Sequence, residues 1–222
     1  MTVTSNSQAS GLRATASETF YTRRGKRLLD LTLALILLPT IAIVVAVLYF
    51  VARSDGGKTG FFGHKRVGQN GREFRCWKIR TMRSDGDAIL QKHLAENPAA
   101  AAEWARDYKL TNDPRVTRMG NLLRRTSLDE LPQIWNVLRG EMSFVGPRPI
   151  VAAELERYEG YQWCYLTSTP GITGLWQVSG RNDVSYEERV RLDMAYHGRR
   201  SLGLDLNVIA QTAGAVVKAT GK

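Results

Sequence analysis

The sequence predicts a mostly helical α+β fold, with one membrane helix near the N-terminus and a small β-hairpin after it. Three observations carry that prediction. The run from Leu28 to Ala52 is apolar apart from Asp30, Thr32, Pro39 and Thr40, and about 20 apolar residues suffice to cross a bilayer. Asn70-Gly71 stands between two β-prone runs, Phe61 to Val67 and Arg72 to Met82, an arrangement that favours a hairpin. Most of the remainder is helix-forming sequence punctuated by Pro and Gly breaks.

At 222 residues the chain can bury an ordinary core, as one large domain or a domain with an accessory element. Its formal charge of +10 implies an anionic partner: nucleic acid, a phosphorylated substrate or anionic lipid. Cys76 and Cys164 are isolated thiols. They indicate neither a disulfide framework nor a zinc site, and a reducing, cytosol-facing location fits. The histidines, His64, His93 and His197, are scattered and receive no catalytic role.

Residues 1–22 are rich in Ser, Thr and Ala with little charge, and read as a mobile tail. The basic cluster Arg23, Arg24, Lys26 and Arg27 opens a membrane element placed at 23–53. Arg53, Lys58, Lys65 and Arg66 follow it, so positive charge flanks both ends and does not choose an outer side. Pro39 removes a backbone bond and clashes with the preceding turn. Two half-helices of roughly a dozen residues, about 18 Å each, could enter one leaflet and return. An ordinary span with a tolerated proline fits the composition equally.

On the second hairpin arm, Lys78 and Arg80 are two apart and share a strand face. Residues 84–110 read as two helices, or one broken at Asn97-Pro98, with Trp104 and Tyr108 on one packing face. A turn at Asn112-Asp113-Pro114 and a short helix from Gly120 to Arg125 follow. In Ser143-Phe-Val-Gly-Pro-Arg-Pro149, the prolines stiffen Arg148 for bidentate phosphate recognition and Gly146 allows close approach to a ligand. A plain loop before a helix at Ile150 to Tyr158 explains the same residues. Short strands or loops are expected over 163–182, ending at Arg181-Asn182-Asp183, whose polar groups could reach a nucleotide or sugar. Ser185-x-x-Glu188 is a capping box for a helix toward His197, and Leu202 to Val217 is a core or membrane-surface helix.

The stretch that concentrates chemistry is Thr126-Ser-Leu-Asp-Glu-Leu-Pro-Gln133, where Asp129 and Glu130 follow Arg124 and Arg125. Two acids among basic residues suggest phosphate or metal chemistry. Acids are also common in a first helical turn, where the macrodipole favours them, and Ser127-x-x-Glu130 is a capping box. A cap at Ser127 places Pro132 at the fifth helical position, which favours a start one to three residues later. In either register the acids lie at a helix N-terminus, beside amides that can hold a phosphate.

Taken in order, these segments resemble the bacterial sugar transferase family, monotopic polyprenyl-phosphate hexose-1-phosphate transferases. The resemblance runs from about Lys26 to the C-terminus. Its carriers are the Pro-broken apolar helix with Asp30, Arg66-Val-Gly-Gln-Asn-Gly71, Lys78-Ile-Arg-Thr-Met82, Leu123-Arg-Arg-Thr-Ser-Leu-Asp-Glu-Leu-Pro-Gln133, Ser143 to Pro149, and Pro170-Gly-Ile-Thr-Gly-Leu-Trp-Gln-Val-Ser-Gly-Arg181.

The resemblance implies a re-entrant helix bent at Pro39 and a catalytic phosphoglycosyl transferase domain over 54–222, with amphipathic interfacial helices. Asp129 would be a nucleophile toward the β-phosphate of a UDP-hexose, expelling UMP, and a polyprenyl (undecaprenyl) phosphate would then take the sugar phosphate. Glu130 would bind Mg²⁺ or act as base, with Asp129 and Glu130 as the metal pair. Lys78, Arg124 and Arg148 match phosphate-handling positions; Arg66, Arg80, Gln133 and Arg181 are candidates for nucleotide or sugar contacts. Leu38 departs from the Ser that some relatives carry before the proline, and Thr40 could bond a freed carbonyl instead. The chain is expected to be the compact catalytic unit, without the multi-helix N-terminal extension of large members, and to use glucose or galactose. Expected partners are the two substrates and anionic membrane lipids, without nucleic acid and with a homodimer left open. The expected place is the cytoplasmic face of the bacterial inner membrane, in exopolysaccharide biosynthesis. A metal-dependent nucleotide-sugar pyrophosphatase and a non-enzymatic basic membrane adaptor are the rival readings.

Overall fold

The computed structural model describes residues 19–55, 59–107, 110–180 and 184–217. Helix begins at Phe20, inside the segment read as a tail, and passes through a π-helical turn at Tyr21–Gly25 into α1 (Lys26–Ser54). Helical backbone continues through Pro39. Among the described residues α1, with its leading turn, is the one helix long and apolar enough to cross a membrane, by length and composition. Leu28, Leu35, Ile36, Ile43, Val47 and Phe50 are exposed along it.

The hairpin forms as its sequence predicts, with β1 (Phe61–Val67) beside β2 (Glu73–Ile79). A 3₁₀ turn at Gln69–Gly71 joins them. Asn70 and Gly71 take φ of 58° and 76°, the left-handed region that Asn and Gly enter at least cost. Then α2 (Gly86–Glu96) and α3 (Pro98–Asp107) divide at Asn97, whose Oδ1 accepts from the Ala100 amide at 3.2 Å. Tyr108, expected on a face with Trp104, lies outside the described residues. α4 (Arg118–Arg125) is capped by Thr117, whose hydroxyl accepts from the Gly120 amide at 2.9 Å.

Beyond a 3₁₀ turn at Leu128–Glu130 come α5 (Gln133–Arg139), β3 (Ser143–Val145), α6 (Ala152–Leu155), α7 (Gln162–Leu166), β4 (Gly171–Thr173) and α8 (Leu175–Ser179). The chain ends on α9 (Tyr186–Arg199) and α10 (Leu202–Val217). The Ser185 hydroxyl accepts from the Glu188 amide at 3.2 Å, the serine half of the predicted capping box, while the Glu188 carboxylate takes Arg191 Nη1 at 3.3 Å. β3 and β4 pair in parallel, Ser143 with Gly171 and Val145 with Thr173, a pairing that the sequence did not announce. It also revises the role of Gly146. A Cβ there would strike the Thr169 carbonyl and the Gly171 amide, so the glycine serves the approach of two backbones.

Contacts divide the chain into two compact units, one of Met1–Leu37, Lys65–Cys76 and Gln133–Gly214, the other of Leu38–His64, Trp77–Pro132 and Ala215–Lys222. In the first, Val67, Ile150, Tyr158, Tyr165 and Val190 form one buried cluster, and Val145, Tyr196 and Val208 another. Polar bonds fasten the start of α1 inside this unit. Lys26 Nζ lies 2.6 Å from Asp205 Oδ2, which the Tyr21 hydroxyl also reaches, and the Tyr196 hydroxyl donates to Asp205 Oδ1 at 2.8 Å. The Arg27 guanidinium donates to the Val137 and Leu138 carbonyls at 2.5 and 2.9 Å. Asp30 Oδ1 accepts from the Ser143 hydroxyl and the Phe144 amide, both at 2.9 Å. In the second unit Ala52, Ile79 and Leu123 are buried, with Val45, Leu48, Phe61 and Leu128 against them.

Tyr165 holds a junction of the first unit. Its hydroxyl donates to the Val67 carbonyl at 2.6 Å and accepts from the Ile150 amide at 3.2 Å, on either side of the antiparallel bridge Val67–Ile150. Tyr165→Phe strands two buried backbone groups and is expected to lower stability by about 1–3 kcal/mol, measured by denaturant unfolding of the detergent-held protein.

Candidate functional site

Asp129 and Glu130 owe their position to a turn that is not the predicted capping box. Ser127 adopts φ 58°, ψ 16°, and its side chain makes no cap bond. A left-handed residue turns the hydroxyl away from the amides that a cap would serve. Leu128 packs against the Ala52, Ile79 and Leu123 cluster, which seats the 3₁₀ turn and buries Asp129 to 7% exposure. α5 starts only at Gln133. Pro132 therefore precedes the helix, where its missing N–H costs nothing, and the acids lie one turn ahead of it.

Lys78 is the nearest cation. Its Nζ lies 2.5 Å from Glu130 Oε1 and 3.9 Å from Asp129 Oδ2. Strand β2 sets this reach, because Ile79 is buried in the core and the alternating Lys78 points the other way. Arg124, at the end of α4, donates through Nε to the Thr81 hydroxyl at 2.9 Å. Gly120 permits that approach of α4, since a Cβ there would collide with the Thr81 carbonyl.

Burial pushes the Asp129 carboxyl up to about 6, with Lys78 and Arg124 opposing and Glu130 adding to the rise. Arg124 and Arg125 precede this acid in the sequence, and nearby cations favour an ionised carboxylate. In the structure Lys78 has the larger favourable effect and desolvation outweighs both cations. At pH 7 the group still stands about one unit above its pKa and is roughly nine-tenths ionised. The folded-state value exceeds the ordinary 3.8, so the folded protein holds this proton more tightly than the unfolded chain. The stability this provides is full at low pH and is lost as pH rises from about 4 through about 6.

The other predicted residues have distinct surroundings. Arg80, past the end of β2, donates through Nε to the Thr59 carbonyl at 3.0 Å and through Nη2 to the Thr59 hydroxyl at 3.2 Å. It braces the loop before β1, and β2 ends too early for it to share a strand face with Lys78. Gln133 is buried as the first residue of α5. Arg66 Nη1 lies 3.4 Å from Glu154 Oε1. Arg148 is exposed between the buried Pro147 and Pro149. Arg181 lies outside the described residues. Sequence reasoning overlooked Glu154 and Arg189, whose only local signals are helical positions common to many surface residues.

No group of three or more His, Cys, Asp or Glu residues with metal-binding geometry occurs among the described residues. The Asp129–Glu130 pair still offers hard oxygen ligands. That suits a cation which takes one or two protein carboxylates and completes its shell with phosphate and water.

Lys78→Met is expected to raise the Asp129 pKa further, because it removes the largest opposing charge. Carboxyl ¹³C titration by NMR reads the shift; an unchanged or lowered pKa would contradict this account of the site.

Fold and site together define a basic, mostly helical protein with one membrane-length helix and a carboxylate pair set beside a lysine and an arginine. The family model described as bacterial sugar transferase matches residues 21–219. The chain is 50% identical over 196 residues to the UDP-galactose-lipid carrier transferase of Erwinia amylovora, covering 88% of this chain and 41% of that protein. It is 49% identical over 197 residues to the exopolysaccharide production protein ExoY of Sinorhizobium fredii, covering 88% and 87%. Identity to the undecaprenyl-phosphate galactose phosphotransferase of Salmonella typhimurium is 46% over 196 residues, covering 88% and 41%. The chain thus spans less than half the length of the Erwinia and Salmonella relatives and most of the Sinorhizobium one. It belongs to the bacterial sugar transferase family.

Proposed function

We propose that this protein transfers hexose-1-phosphate from a UDP-hexose to polyprenyl phosphate through a covalent intermediate on Asp129, beginning a repeat unit of an exopolysaccharide. The observation that carries the reading is Asp129 itself, buried yet largely ionised near neutrality, 3.9 Å from Lys78. A carboxylate stripped of water is a better nucleophile than a solvated one, and the adjacent cation offsets charge on an incoming phosphate. The relatives named for galactose and for undecaprenyl phosphate make UDP-galactose the first donor to try, with UDP-glucose beside it.

In the first step an Asp129 carboxylate oxygen forms a bond to the sugar-bearing phosphorus while the bond to the UMP oxygen breaks. UMP leaves with the electron pair. In the second step an oxygen of polyprenyl phosphate attacks the same phosphorus, and the bond to Asp129 breaks to restore the carboxylate. Splitting the transfer lets two bulky substrates react in turn. Lys78 and Arg124 would hold the phosphate under attack; within the first unit, Arg66 and Arg148 are further phosphate-binding candidates. Glu130 would hold Mg²⁺ with Asp129 or serve as base; bound Mg²⁺ would offset phosphate charge as a Lewis acid. Lys78 Nζ, now 2.5 Å from Glu130 Oε1, would be available to substrate whenever Glu130 serves in either role.

We further read α1 as re-entrant, with both ends and the catalytic residues on the cytoplasmic face. Pro39 in the middle of the helix and positive charge at both its ends support this.

Asp129→Asn is expected to reduce radiolabelled sugar-phosphate transfer on the order of 10⁴-fold, and the parent's rate should fall below about pH 6 as Asp129 takes up a proton. Full transfer by Asp129→Asn would sink the covalent route. Free sugar phosphate formed without polyprenyl phosphate would favour a hydrolase, and a parent protein with no UMP release, a binding adaptor.

For topology, Ser5→Cys and Gly57→Cys placed singly in a variant lacking Cys76 and Cys164 should both react with a thiol reagent from the cytoplasmic side. Labelling from opposite sides would show that the helix spans.

A further inference from the structure

Within the first unit, guanidinium groups gather around Arg148, and one of them has no role in the reading above. Arg189, in the first turn of α9, lays its Cζ 4.5 Å above the ring of the buried Trp176. Stacking fixes the plane of the guanidinium. Its Nε is buried and has no hydrogen-bond partner among the described residues. An unbonded buried donor costs stability, and a charged one held rigidly is a donor waiting for an acceptor.

The surroundings indicate which acceptor. Burial lowers the pKa of both Arg66 and Arg189, and for each the next cause is the charge of Arg148. Arg157, whose Cζ sits 3.8 Å over the Tyr186 ring, repels Arg189 as well. Against these cations stand Glu154, 3.4 Å from Arg66, and Asp193, which the Tyr158 hydroxyl holds at 2.8 Å. Burial pushes Asp193 up to about 7, so near neutrality it offsets only part of a charge. Among the described residues Arg148 thus repels both Arg66 and Arg189, and Arg157 adds to the repulsion on Arg189. A ligand of high negative charge with several oxygens removes both the repulsion and the unpaired donor.

We propose that Arg189, with Arg66 and Arg148, binds a phosphate group of a substrate, the Trp176 stack presenting its guanidinium edge to the phosphate oxygens. The inference rests on the transferase reading for the substrate's identity, and it assigns Arg189 a binding role that the family motifs did not. The phosphate belongs either to the nucleotide donor or to the lipid acceptor, and kinetics separate the two.

The test uses the full chain in nanodiscs, with Arg189→Met, which keeps apolar cover on Trp176, and Arg189→Lys, which keeps the charge and loses the planar fork. UMP, inorganic phosphate and a short-chain polyprenyl phosphate are titrated against each by thermal shift. Losing a charge-assisted bond should weaken the affected ligand about tenfold to a hundredfold in Arg189→Met, and less in Arg189→Lys, with the unliganded midpoint near the parent's. A raised KM for UDP-hexose with weaker UMP binding assigns the site to the donor; a raised KM for polyprenyl phosphate assigns it to the acceptor. Parent-like binding of all three ligands by Arg189→Met overturns the proposal, as does weakening that merely follows a lowered unliganded midpoint. If Arg189→Met does not fold, unchanged affinities in Arg189→Lys overturn it too. A parent that binds phosphate without turnover would refute the transferase reading and leave the anion site standing.

Discussion

The first unit depends on how a carboxylate with no access to water is satisfied. Asp205 is fully buried, and Lys26, Tyr21 and Tyr196 converge on its two oxygens. Removing Lys26 would leave this buried acid without its paired cation, and removing Tyr196 would leave Oδ1 without its donor; either loss costs far more than the bond itself contributes. That asymmetry gives the start of α1 its fixed place. An apolar helix has little preference between protein and lipid contacts, so apolar packing alone would leave it loosely attached. Arg27 on the carbonyls of α5 and Asp30 on the head of β3 repeat the device.

Asp129 is the counter-case. It too is removed from water, but its compensation is incomplete: Lys78 stands closer to Glu130 than to Asp129, and burial raises its pKa despite both cations. Asp205 shows that this protein can satisfy a buried acid fully. On the proposed transferase reading, an acid left partly unsatisfied in the same chain marks a place where stability yields to chemistry. The arginines around Arg148 follow that logic with the sign reversed.

Local patterns made much of this fold legible. The apolar run, the Asn70-Gly71 hairpin, the break at Asn97-Pro98 and the cap at Ser185 each follow from one residue's backbone preference or from apolar spacing. What escaped depends on partners distant in sequence. The β3–β4 pairing joins segments with little alternation to reveal them. The Ser127 capping box has the right residue types, but Leu128 packing and the onset of α5 at Gln133 select another turn. The acid pair was visible as a motif, whereas the order of effects on Asp129 needed its burial. Arg80 shows the limit of strand alternation, which ends where the strand does.

Ser127 also restricts the sequence near the acids. A backbone at φ 58° is readily held by Gly, Asn and Asp, tolerated by Ser, and resisted by β-branched side chains. Single-nucleotide changes from serine to threonine or isoleucine would therefore act on the aim of Asp129 and Glu130 without altering either acid. The hydroxyl at this position does no bonding as a helix cap, so drift among small polar residues and glycine should be neutral. The backbone conformation, more than the side chain, is what selection can hold constant there.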